Sequence, residues 1–138
     1  MDHRINQSFW VLRIGLGAAA FLAGLDKFFN LLVDWPKYLS PLVTNVVPIS
    51  AQTFMHVAGV IEMIAGLAIL AGLTRLGGYV VMAWLIGIAI NLVTTGTYFD
   101  IAVRDVLMAL AAFTLARLSE VRVQAAAPAV ASLMAKAA

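Results

Sequence analysis

Four long apolar stretches, 9–32, 53–73, 76–95 and 101–118, occupy most of this chain. Each is about the length, roughly 20 mostly apolar residues, that a helix needs to cross a bilayer. The composition agrees. Hydrophobic residues make up 63% of the sequence, charged residues 12%, and the mean hydropathy is +0.97, whereas soluble domains are about 45–50% apolar and about a quarter charged. The expected fold is all-α: an integral membrane four-helix transmembrane bundle over 1–118. An outer loop occupies 33–52, and an Ala-rich cytoplasmic tail or weak helix containing Pro128, too polar and broken to span, occupies 119–138. Little chain is left for a nucleotide-binding or hydrolase domain. A net charge of +2 without a basic patch excludes nucleic acid as a partner. The first stretch is too long for a signal-peptide core and carries Arg13, Asp26 and Lys27, so it reads as a retained span.

The connections set the topology. With four spans, one side of the membrane carries Arg4, Arg75, Arg117, Arg122 and Lys136, and the positive-inside rule places both termini in the cytoplasm. The 33–52 loop, with Pro36, Pro41 and Pro48, then faces outward, and its Asp34–Leu39 stretch suits the headgroup level. Trp10, Trp35, Tyr38, Tyr79 and Tyr98 read as interfacial anchors. Ser50 is a candidate N-cap for the second span. Every span carries a small-xxx-small pair: Ala20/Gly24, Ala68/Gly72, Ala83/Gly87 and Ala112/Ala116. Such pairs let helices approach closely where burying Leu gains little over lipid.

Polar residues fall on the same small faces. Lys27 shares a face with Ala20 and Gly24, Glu62 with Ala58, Gly59, Ala65 and Gly66, Asn91 with Trp84 and Gly87, and Asp105 with Ala102, Ala109, Ala112 and Ala116. A charge exposed to lipid costs about 2.5–3.5 kcal/mol on insertion scales, so these groups should point into the bundle. Lys27, Glu62, Asn91 and Asp105 are expected around one pocket in the outer half of the membrane, suited to a quinone headgroup or small polar substrate. Trp84 and His56 are candidate lining residues. The competing interpretation is a buried salt-bridge network that fixes helix register. Glu62 favours a functional site, since it is the deepest charge and has no partner at its own depth. Arg13 lies alone in the inner half and is expected to snorkel to the cytoplasmic interface. The chain has no cysteine, which excludes thiolate chemistry, disulfide exchange and Cys-held metal. Its histidines, His3 and His56, are not placed as a haem pair, and neither a metal nor a covalently bound cofactor is expected.

Gly24-Leu25-Asp26-Lys27-Phe28-Phe29, Glu62-Met63-Ile64-Ala65-Gly66, Gly72-Leu73-Thr74-Arg75 and Arg104-Asp105 occur in an order and spacing that resembles the DoxX family of small four-helix bacterial membrane proteins. The resemblance spans roughly residues 13–118. It implies quinone-linked, redox surroundings. One relative is the membrane subunit of a thiosulfate:quinone oxidoreductase, and others associate with superoxide dismutase and a sulfurtransferase in an oxidative-stress complex. By that resemblance the chain is a membrane-anchoring, quinone-binding subunit of a redox complex in the bacterial inner membrane, with quinone as candidate ligand. Its partners are the lipid bilayer, other proteins of the complex, and a second copy in a homo-oligomer. The alternatives are a structural or assembly subunit without a ligand site, and a small-solute carrier or channel acting as an oligomer.

Overall fold

The computed structural model describes residues 2–137, and all of its regular structure is helical. Helix α1 runs His3–Asp26, and a 3₁₀ turn at Trp35–Tyr38 leads to a short α2, Pro41–Val46. Helices α3 (Ala51–Ala71), α4 (Thr74–Thr95) and α5 (Phe99–Ala137) follow. Helices α1, α3 and α4 are long and apolar enough to cross a membrane. Large apolar side chains such as Val11, Ile14, Leu22, Ile64, Leu67, Ile90, Val103 and Leu110 lie on the outside. A bundle with so much outward apolar surface is made for lipid rather than water.

Two antiparallel pairs build the bundle: α1 against α3, and α4 against α5. In the first pair the backbones nearly touch. A Cβ added to Gly24 would sit 2.5 Å from the Gly59 carbonyl oxygen, and one added to Gly66 would sit 2.6 Å from that of Gly17. The contact therefore repeats every seven residues on both helices, Gly17/Gly24 facing Gly59/Gly66. In the second pair Gly78 meets Ala112 and Ala116. Buried Ala102, Ala109, Ala112 and Ala116 form the small face of α5. Gly77 against Ile69 joins the two pairs beside the α3–α4 turn. There Gly72, at φ 115°, ends α3 in a left-handed conformation that favours glycine. One core cluster gathers Phe9, Leu16, Ile69, Val81, Ala112 and Leu115, and another at the loop end gathers Ala89, Leu92 and Ala102.

Several boundaries differ from the sequence reading. The first helix begins at His3 and ends at Asp26, whereas the hydropathy pattern extends from 9 to 32. The Asp26 carboxylate is the reason. It accepts hydrogen bonds from the backbone N–H groups of Leu31 and Leu32 and from the Trp35 indole, at 3.1, 3.0 and 2.8 Å, and so holds the chain in a reverse turn. Asn30 in that turn has a positive φ of 51°. Residues 119–137 are helical and continue α5 through Pro128. With 39 residues, α5 is about 58 Å long, against a hydrocarbon core of about 30 Å.

Arg13, expected to snorkel toward the end of the bundle at the α3–α4 turn, finds specific partners there. Its Nε and Nη2 donate to the carbonyls of Ile69 and Leu70 at 3.0 and 2.7 Å, so it caps the C-terminus of α3, where unpaired carbonyls and the negative end of the dipole lie. Of the small-xxx-small pairs, Ala83/Gly87 makes no helix contact at Gly87, where an added Cβ would meet nothing within 4 Å. Ser50 caps α3 as expected, accepting from the Thr53 N–H at 3.1 Å. At the opposite end Glu120 gathers Arg75, Arg117 and the Tyr79 hydroxyl, so Tyr79 is a packing partner as well as an interfacial ring.

The glycine contacts are testable. Gly24→Leu and Gly66→Leu each force apart backbones that already touch, and should lower stability in detergent by about 1–3 kcal/mol or more. Gly15→Leu, at a position where an added Cβ meets nothing within 4 Å, should leave the melting temperature nearly unchanged. Equal losses in all three variants would refute the close-approach argument.

Candidate functional site

The close crossing of α1 and α3 fixes the site. One turn beyond Gly24 and Gly59, on the same faces, come Lys27 and Glu62. Because the backbones touch, the lysine spans the gap: its Nζ lies 2.6 Å from Glu62 Oε2, with the two side chains only 6% and 9% exposed. Glu62 is therefore not unpartnered, as its depth in the sequence suggested. Its other oxygen, Oε1, accepts from the Trp84 indole at 3.0 Å, which ties α3 to α4. The Lys27 ammonium also lies 3.8 Å from the centroid of the Trp35 ring, a cation–π contact strengthened by burial. The same indole donates to Asp26. Asp26, Trp35, Lys27, Glu62 and Trp84 thus form one connected polar chain.

All of these but Asp26 border a cavity of about 780 Å³ at the loop end of the bundle. Lys27, Glu62, Trp84, Asn91 and Asp105 all line it, so the structure brings the four polar residues and Trp84 together from four helices. Apart from Arg104 at the rim, the rest of the wall is apolar or aromatic, including Phe54, Met55, Ala58, Ile88 and Leu92. Ala83 and Gly87 also line it, which explains why their small faces find no helix. Asp105 is half-buried and has no hydrogen-bond partner among the described residues. Neighbouring Arg104 reaches the rim and lies 3.8 Å from Asp100 with its side chain 74% exposed.

Two assignments change in detail. Asn91 borders the cavity, but its amide is committed to the loop: Oδ1 accepts from the Ser40 N–H at 2.9 Å and Nδ2 donates to the Tyr38 carbonyl at 2.7 Å. His56 is not part of the wall. It stacks on Phe28, with centroids 4.7 Å apart, and its Nε2 hydrogen-bonds Gln52. It lies between the lining residues Met55 and Ala58 but on a neighbouring face of α3.

The loop contributes what the sequence reading missed. Val33, Trp35, Tyr38, Leu39 and Val43 line the cavity, so the 33–52 segment forms part of its wall rather than lying only at headgroup level. Tyr38 is also packed edge-on against Tyr98, with centroids 4.7 Å apart. The signal available in the sequence was Asp26 lying nine residues before Trp35. Nothing in local periodicity distinguishes an aromatic that anchors in lipid from one folded over a cavity. Among the described residues, no three His, Asp or Glu side chains converge as metal ligands would.

A desolvated ion pair makes a sharp prediction. Lys27→Met or Glu62→Leu alone strands a buried charge and should cost about 3–5 kcal/mol. The double variant should recover most of that loss, because two apolar groups of similar size replace a pair that had to be stripped of water. Thermal unfolding in detergent measures it. Additive losses in the double variant would show that the two residues do not act as a pair.

A family model described as DoxX matches residues 9–96. No curated protein and no solved structure matches the chain. The matched region holds the glycine contacts between α1 and α3, the loop, and every cavity residue named above except the α5 residues, Arg104 and Asp105 among them. With more than half of its length matched in this way, the chain is a membrane protein belonging to the DoxX family.

Proposed function

We propose that this chain is the membrane-embedded subunit of a quinone-linked redox complex in the bacterial cytoplasmic membrane, and that the loop-end cavity receives a quinone headgroup. The observation that carries this reading is the cavity itself: a largely apolar and aromatic volume of about 780 Å³, with ionisable groups gathered on its wall, inside a bundle built for lipid. Ligand sites have this character, a mostly apolar wall with a few placed polar groups. A planar, lipid-soluble ring with polar edges suits both parts of the wall. The chain has no cysteine, so sulfur chemistry in such a complex belongs to a partner.

The proposal includes four spans with both termini in the cytoplasm. The 101–118 part of α5 supplies the fourth. Its charges are accommodated for crossing: Asp105 borders the cavity, while Arg104 and Arg117 lie near the two ends beside Asp100 and Glu120. The cavity and its loop then lie in the outer half of the membrane.

A second reading has its own support. The Lys27–Glu62–Trp84 network is internally satisfied and buried, as a device that only fixes helix register would be. The two readings part at Gly87, which borders the cavity but touches no neighbouring helix. Gly87→Phe should fill the cavity without disturbing helix contacts. A one-isoprene ubiquinone analogue should quench Trp35 and Trp84 emission saturably in the wild type, and at least about tenfold more weakly in Gly87→Phe at an unchanged melting temperature. Identical titrations would remove the ligand reading and leave the register-fixing one. For topology, reporters fused after Asn45 and after Lys136 should report opposite sides of the membrane. Reporters on the same side would refute the four-span arrangement.

A further inference from the structure

Taking the quinone site proposed above as given, the hydrogen-bonding capacity of the cavity wall identifies the redox form it holds. On the buried part of the wall the nitrogen donors are already engaged. Lys27 Nζ donates to Glu62 at 2.6 Å, approaches the Ala23 carbonyl at 3.5 Å, and otherwise faces the Trp35 ring. Trp84 Nε1 donates to Glu62 and Trp35 Nε1 to Asp26. The Asn91 amide is bound on both sides to the loop backbone. The Arg104 guanidinium makes no hydrogen bond among the described residues, but it lies at the rim with its side chain 74% exposed, 3.8 Å from Asp100, where water serves it. The Tyr38 hydroxyl can donate or accept, so it does not discriminate. What remains inside the rim is an acceptor, the Asp105 carboxylate, which is half-buried on the cavity wall without a hydrogen bond among the described residues.

A half-buried carboxylate without a donor is partly stripped of water, and a ligand that fills the cavity and brings a donor offsets that cost. The oxidised ring offers only carbonyl acceptors, whereas the reduced ring offers two hydroxyl donors. We infer that the cavity binds the hydroquinone in preference to the quinone, with Asp105 accepting a hydrogen bond from a ring hydroxyl. Asp105 is then the residue that specifies the redox form, while Lys27, Glu62 and Trp84 shape the wall and hold it in place. A hydrogen bond to a charged group is worth about ten- to a hundredfold in affinity.

The test compares one probe in its two redox states. The one-isoprene ubiquinone analogue and its chemically reduced quinol are titrated anaerobically against the full-length protein in detergent, by calorimetry, for wild type, Asp105→Asn and Asp105→Ala. In the wild type the quinol should bind at least about tenfold more tightly than the quinone. Asp105→Asn, whose amide can also donate to a carbonyl, should bring the ratio close to one. Asp105→Ala should weaken quinol binding while leaving quinone binding largely intact. Melting temperatures of both variants should stay near wild type, because Asp105 supports no other side chain through a hydrogen bond. If both forms bind the wild type equally, or if the preference survives in Asp105→Ala, this inference fails and the quinone site stands. If neither form binds, the site and the inference fail together.

Discussion

The loop end of this protein depends on one interaction, the backbone contact of α1 and α3 at Gly24 and Gly59. In a bilayer the exclusion of water does little to press helices together, so affinity comes from close packing and from polar contacts between helices. A glycine on each helix brings the carbonyl oxygens within reach of the opposing backbone. That approach sets the separation of the faces one turn further on, where Lys27 and Glu62 lie. With larger residues at the crossing, the lysine would have to stretch or leave its carboxylate, and a stranded charge there is expensive. The small residues and the ion pair therefore belong to one device: the first sets the distance and the second locks the register.

The polar chain does more than join α1 to α3. Through Trp84 it extends to α4, and through Trp35 and Asp26 it extends to the loop. Asn91 fastens the same loop from α4. Two opposite helix pairs are thus bridged on the cavity side by hydrogen bonds to indole and amide groups, while the α3–α4 turn joins them at the other end. The cavity occupies the space between, walled by residues too small to close it, Ala83 and Gly87 above all. Among the described residues the half-buried Asp105 is the one carboxylate of that wall without a hydrogen bond, whereas Glu62 is held by Lys27 and Trp84.

Much of this was legible in the chain. Apolar length and low charge specify helices that cross a bilayer, because backbone polar groups must be satisfied within each segment and helices do so alone. The coincidence of small and ionisable residues on one face of each helix specifies which faces turn inward, because charge is costly against lipid. On those grounds Lys27, Glu62, Asn91 and Asp105 could be assigned to one end of the bundle from periodicity and depth. Tertiary structure decided what those faces do. Hydropathy could not see that α1 stops at Asp26, since the following residues are just as apolar and a carboxylate bonded to distant backbone groups turns the chain. Nor could spacing tell that Arg13 caps another helix, that the Asn91 amide is spent on the loop, or that His56 faces Phe28. The sequence by itself determined which residues must be hidden from lipid, because the energy of a charge in hydrocarbon depends on that residue alone. Which of them are paired and which are left free only the fold could decide, because a hydrogen bond depends on where two separate helices bring their atoms.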